Sequence, residues 1–350
     1  MSKDIKIFIR RVYALVFIIP CLVLAGVMFL SPLAHANEVN IYSYRQSHLI
    51  EPLLNKFSQD TGIKTNAVFV SQGIAEKLRF EGKNSPADIV LTVDIYRLAE
   101  LKEKGLTKSV SSDILTNRIP AAFRDISNHW FALTHRSRVI FATSDTKRAP
   151  FGEVSGYLDL AKPNLGKRVC TRTLSHIYNL GLISSLIAQY GEERADKWLR
   201  GLKKNLARRP QGNDREQIKA ITSGQCDYAI ANSYYFNLLT ADDPKWTKDI
   251  RWIAPKSDKG GTHMNVSGMA MTRHSPNPEN ALKLMEFLAS DWAQQTYASY
   301  NNEIPIIDTI SSSAREQLGD FERQQVAIET LATFVNKAQD LVISSKIDLR

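Results

Sequence analysis

The feature that most limits the fold is an alternation of segment types that begins at Glu38. "EVNIYSY" has the polarity pattern of a strand. "HLIEPLLNKFSQDTG" then sets Leu49, Ile50, Leu53, Leu54 and Phe57 on one face of a helix, with Gly62 at its stop. "KTNAVFV" is a second strand and "GIAEKLRFEG" a second helix. "ADIVLTV" is a short continuous apolar run, as a parallel strand buried on both faces requires, and "IYRLAELKEKG" is the next helix. A βαβαβα order predicts a parallel sheet flanked by helices, because parallel neighbours need a crossover long enough to hold one. The style resumes with "KRVCTRT" and "CDYAIAN" as strands, separated by helices at "SHIYNLGLISSLIAQYG", "EERADKWLRGLKKN" and "DREQIKAITSG". "SYYFNLLTA" is a short helix, "IRWIAP" and "NVSGMAMT" are strands, and "NPENALKLMEFLAS" and "DWAQQTYASY" are helices. The reading is an α/β chain of two lobes. "HWFALTHRSRVIFAT" and "HMNVSGMAMT" are long enough to cross between them. Two crossing strands make a hinge, and the cleft between lobes is the natural ligand site. The first lobe is expected to hold residues 37–137 plus 270–312, and the second 138–269 plus 313–350.

Residues 1–36 follow a different logic. A basic start, "MSKDIKIFIRR", precedes the apolar "VYALVFIIPCLVLAGVMFL" and the small-residue "SPLAHA". That layout predicts a secretory signal cleaved after Ala36, with an uncleaved anchor as the alternative for so long an apolar run. Setting aside the four bases and one acid of this segment leaves 41 basic and 35 acidic residues, a charge of +6. The densest basic stretch, "KKNLARRP", reads as a solvated helix face rather than a nucleic-acid patch, and export argues further against nucleic acid. Cys170 and Cys226 sit in strand-like runs. An oxidising compartment permits a disulfide between them, and the sequence leaves its geometry open.

In open α/β sheets, ligands bind beyond the carboxyl ends of strands, where helix N-termini present free N–H groups. Three junctions carry suggestive side chains. "YSYRQSH" offers Tyr42, Tyr44, Arg45, Gln46 and His48; "CTRTLSHIYN" offers Arg172 and Tyr178; "NSYYF" offers Tyr234 and Tyr235, with Ser233 as a cap. Taken singly, each tyrosine reads as packing. If Tyr178, Tyr234 and Tyr235 converge, they form a cluster of phenol oxygens. Free phenols titrate near 10 and stay neutral, so several phenolates together need a strong positive charge, such as a hard trivalent metal. Arg45, Arg136 or Arg172 would then suit a small planar oxyanion. GxSxG, HExxH, GxxxxGK[ST] and GxGxxG are all absent from the sequence, so no enzyme is expected.

Several long runs resemble one family. "VNIYSYRQSHLIEPLL", "SPADIVLTVDIYRLAE", "KRVCTRTLSHIYN", "RRPQGNDREQIKAITSGQCDYAIANSYYF" and "GTHMNVSGMAMTRHSPN" look like the periplasmic ferric-iron-binding proteins, or bacterial transferrins. These are the substrate-binding components of iron(III) ABC importers. The resemblance spans nearly all of the chain after residue 36. It implies a two-lobed periplasmic binding protein fold of the class II type, with two crossover hinge strands. It further implies a periplasmic protein that delivers Fe(III) to an inner-membrane permease and its ATPase; a monomer is expected, and it should be soluble, because no run after residue 36 is apolar for long enough to span a bilayer. The family's ligand tyrosines correspond to Tyr178, Tyr234 and Tyr235. Many members add a His-Tyr pair after the first strand, where this chain has Gln46 and Ser47. The resemblance is therefore to the branch in which a carbonate or bicarbonate ion completes the shell, held by Arg136 with Arg45 and Gln46. Tyr44, His48 and Arg172 are further members of the candidate set. The alternative is a periplasmic binding protein for an oxyanion or small organic solute.

Overall fold

The computed structural model describes residues 37–244, 248–256, 258–319 and 321–349. The expected signal segment and its cleavage point lie outside the described residues.

Nine strands build one continuous curled sheet: β1 (Glu38–Ser43), β2 (Lys64–Phe69), β3 (Ile89–Thr92), β4 (Phe131–Thr143), β5 (Val169–Cys170), β6 (Tyr228–Asn232), β7 (Ile250–Ile253), β8 (Met264–Met271) and β9 (Ile304–Pro305). The order is β2-β1-β3-β8-β4-β6-β5, with β7 and β9 also paired to β4. β1 lies parallel to β2 and β3, as the βαβαβα pattern requires. The helix between β1 and β2, Ser47–Thr61, buries Ile50, Leu53, Leu54 and Phe57. It stops at Gly62, whose φ of 70° is the left-handed conformation a glycine adopts without steric cost.

β4 joins the two halves of the sheet. Its first half pairs with β8 and β9, its second half with β6 and β7. At the rise of an extended strand, its 13 residues span roughly 40 Å, enough to serve two sheet regions. Every one of those residues is buried. β8 runs antiparallel to it, from Met264 opposite Ser137 to Met271 beside Ile89. The two long strand-like runs are thus neighbours at the junction of the halves.

Each half has its own core. The first gathers Ile41, Phe57, Leu91, Phe131 and Met269. In the second, β6 feeds both faces alternately: Tyr228 and Ile230 point to one cluster, Ala229 and Ala231 to the other. The C-terminal segment contributes to both halves, with Ile328 and Leu331 in the first core and Ala338, Leu341 and Ile347 in the second. Cys170 and Cys226 form a disulfide, their Cα atoms 5.9 Å apart, where β5 and β6 run side by side. Among the described residues, no helix is long and apolar enough to cross a membrane.

Candidate metal centre

The side chains of interest hang from three strand ends. β6 finishes at Asn232 and a helix, Tyr234–Asp242, follows at once. Ser233 does not cap it, contrary to expectation. Its backbone is already helical (φ −57°, ψ −40°), whereas a capping side chain needs an extended backbone to reach the next N–H groups. Ser233 is instead tied by its own N–H to the Ser137 carbonyl of β4, at 2.8 Å. With the turn so fixed, the rings of Tyr234 and Tyr235 lie 4.3 Å apart at 39°. Tyr178 is the second residue of the helix Ile177–Tyr190. Its N–H donates to His176 Nδ1 at 3.2 Å, and the two rings meet edge to face at 4.7 Å.

A cleft of about 640 Å³ collects these groups. Tyr178, Tyr234 and Tyr235 line it, together with Arg136, Arg45, Gln46, Tyr44 and His48. Arg172 is not in its lining; it donates to Asp214 at 3.4 Å behind the tyrosines. Burial raises the Tyr234 hydroxyl well above the usual phenol value; Tyr178 and Tyr235 push the same way, and Arg136 opposes them. Tyr235 is raised by burial, then by Tyr178 and Asp214. Both phenols are therefore protonated at neutral pH in the metal-free protein. Three guanidinium groups surround the Tyr178 ring, Arg136 at 5.2 Å, Arg172 at 5.4 Å and Arg138 at 5.9 Å from its centroid.

The candidate arginines differ in freedom. Arg136 donates one hydrogen bond, to the Val93 carbonyl. Arg45 is engaged by Glu303, with Nη2–Oε2 2.7 Å and Nη1–Oε1 3.4 Å. The Tyr44 hydroxyl accepts from the Ile74 N–H at 2.9 Å, and the Arg97 guanidinium sits 4.1 Å from its ring centre. Gln46 and His48 are exposed at the mouth, and Gln46 makes no capping bond.

Sequence reasoning missed the scaffold beneath the tyrosines. Arg138 is buried and donates to Asn179 Oδ1 from Nε (3.0 Å) and Nη2 (2.7 Å), to Asp214 Oδ2 (2.9 Å) and to Asn232 Oδ1 (2.8 Å). Asp214 Oδ2 also accepts from the Asn232 N–H at 2.9 Å. Asn179 follows Tyr178, and Asn232 lies two residues before Tyr234, with Ser233 between them. One guanidinium on the crossing strand therefore fixes both turns that carry the phenols. A signal for it existed: Arg136 and Arg138 are two apart, and so share a face of β4. Glu303 left no such trace, since it follows the helix Asp291–Asn301 in a polar stretch without a motif.

Among the described residues, no group of three or more His, Cys, Asp or Glu is placed to hold a metal. A cation in this cleft would meet phenol oxygens, the donor class a hard trivalent ion prefers. Residues 53–317 match the family model for bacterial extracellular solute-binding proteins. The chain belongs to that family. Among the relatives of this solute-binding protein, iron uptake protein A1 of Synechocystis is 37% identical over 300 residues, covering 84% of this chain and 83% of its own. The major ferric iron-binding protein of Neisseria meningitidis is 25% identical over 303 residues, covering 84% and 89%. The apo ferric ion-binding protein A of Pasteurella haemolytica superposes with a TM-score of 0.83 at 43% identity, covering 89% of this chain and 99% of that one. A Trichodesmium relative in complex with iron and citrate superposes at 0.81 with 34% identity, covering 88% and 99%. The fold of this solute-binding protein is accordingly the two-lobed periplasmic binding type, and its family binds solutes rather than transforming them.

Proposed function

We propose that this solute-binding protein captures Fe(III) in the periplasm and delivers it to an inner-membrane ABC permease and its ATPase. The observation that carries the reading is the convergence of Tyr178, Tyr234 and Tyr235 with Arg136 in one cleft. The relatives named for iron uptake and ferric binding support it. Tyr178, Tyr234 and Tyr235 would bind the metal as phenolates, each losing its proton as the bond forms. Arg136 and Gln46 would hold a carbonate-class anion in the remaining positions, with Arg45 joining them if Glu303 yields. Tyr44 and His48 line the mouth, and Arg172 acts through Asp214 from behind.

Closure about β4 and β8 would bury the metal, and reopening at the permease would release it. The working division is 37–137 plus 270–312 against 138–269 plus 313–350, in a monomer released by cleavage after Ala36. The cleft is larger than one ion needs, which keeps a second reading in play: a binding protein for an oxyanion or small organic solute. Titration calorimetry separates them. Tight binding of ferric ion offered as a weak chelate, with weak binding of phosphate and sulfate alone, fits the proposal. Tight anion binding without metal, and none of iron, refutes it.

A further inference from the structure

Among the described residues that line the cleft, Glu303 is the only carboxylate. It does not face the tyrosines as a free acid. Both of its oxygens engage the Arg45 guanidinium, at 2.7 Å and 3.4 Å. The pair is well removed from water, with the side chains 1% and 13% exposed. Arg45 Nε is buried without a hydrogen-bond partner, and the Tyr297 ring lies 5.2 Å from the guanidinium carbon. Glu303 is itself anchored near the crossing strand, because the next two residues form β9 against Thr134 and His135 of β4.

A bidentate carboxylate occupies the same face of a guanidinium that a carbonate, phosphate or sulfate would use. A free oxyanion reaching Arg45 must first displace Glu303, and it meets the like charge of that carboxylate. An unwanted partner is rejected by such a built-in repulsion as effectively as by a missing contact. We infer that Glu303 is a specificity-determining residue: a tethered carboxylate that competes with free oxyanions for Arg45 and so keeps the metal-free cleft from filling with anions alone. An anion arriving with a trivalent cation gains the cation's charge as well as Arg136, and out-competes the tether. This inference rests on the reading of the cleft as a site for a metal with its anion.

The test is made without metal, so it is separate from that reading. Sulfate, phosphate and bicarbonate are titrated into metal-free protein and its Glu303→Gln variant by calorimetry. The expected result is anion binding at least about tenfold tighter in the variant, the scale of one charge-assisted pair no longer to be displaced. Unchanged or weaker anion binding overturns the inference. If near-ultraviolet circular dichroism shows Glu303→Gln unfolded, Glu303→Asp replaces it; that variant keeps the charge but withdraws it by one methylene. A rise of about threefold in anion affinity is then expected, on the reasoning that a longer, weaker pair competes less, and no rise overturns the inference. Failure of the wild-type protein to take up ferric ion would sink the proposed function instead, and is scored in its own titration.

Discussion

Replacing Asp214 by Asn probes the scaffold that holds the phenols. The wild-type carboxylate is fully buried and takes hydrogen bonds from Arg138, Arg172 and the Asn232 N–H. Asn keeps the shape and removes the charge, which leaves the Arg138 guanidinium buried without its counter-ion. Breaking a buried pair in that way costs about 3–5 kcal/mol. For a chain of this size the fall in Tm is on the order of 10 °C. The pH dependence has a definite sign. Burial alone would raise the Asp214 carboxyl, but Arg138, then Arg172 and the Asn232 N–H, outweigh it and hold it below the usual carboxylate range. Its contribution is then fully present above the unfolded value, about 3.9, and is lost as pH falls through the lower folded value. Urea melts of wild type and variant should therefore differ by a constant amount from neutral pH down to about 4, and converge below it. The variant should also bind ferric ion more weakly, because the turns after β5 and β6 lose their common tie. Equal stability across that range, or a gap that widens on acidification, would refute the reasoning.

Other outcomes follow from the same geometry. Tyr234 and Tyr235 are protonated in the metal-free protein, so iron uptake should release their protons, and apparent affinity should fall roughly tenfold for each unit by which pH is lowered, per phenolic proton released; calorimetry in buffers of different ionisation enthalpy counts them. Gly181 lies in the helix Ile177–Tyr190, where an added Cβ would come within 2.7 Å of the Tyr96 hydroxyl and 3.0 Å of His263 Nε2. Gly181→Ala should overpack this contact by about 1–3 kcal/mol and speed iron dissociation, as read by stopped-flow with a chelator. Reducing the Cys170–Cys226 disulfide opens a loop with a sequence separation of 56 residues, and on the chain-entropy model lowers stability by about 4 kcal/mol in denaturant melts.

How much of this was legible in the chain depends on the range of the interaction. The helix Ser47–Thr61 and its stop at Gly62 follow from local periodicity and one permissive residue, and both stand in the structure. β4 is legible as a strand at its two apolar ends, Phe131–Leu133 and Val139–Ala142, while the polar run Thr134–Arg138 between them gives no sign of the burial it has in the structure. Ser233 was misread because the cap pattern is local, while its backbone is set by a bond to Ser137 on another strand. Arg45 was readable as a cation at a strand end; its partner Glu303 lies 258 residues away, and no spacing rule spans that distance. The Arg138–Asp214 pair spans a sequence separation of 76; the spacing of Arg136 and Arg138 marks one end of it, and nothing local marks Asp214 as the partner. Tyr178 and the Tyr234–Tyr235 pair stand out through their place at strand ends and through the runs that resemble the ferric-binding family, since each tyrosine taken singly reads as packing. Neutral phenols can pack anywhere, and only their meeting in one cleft makes a metal plausible.

The most direct measurement is the visible absorption spectrum of the protein during titration with ferric ion and bicarbonate, for wild type and for Tyr178→Phe, Tyr234→Phe and Tyr235→Phe. The account predicts a tyrosinate-to-iron charge-transfer band that saturates at one iron per chain in the wild type and is shifted or lost in each variant. Tight iron binding without such a band, or a band that none of the three substitutions alters, would contradict it.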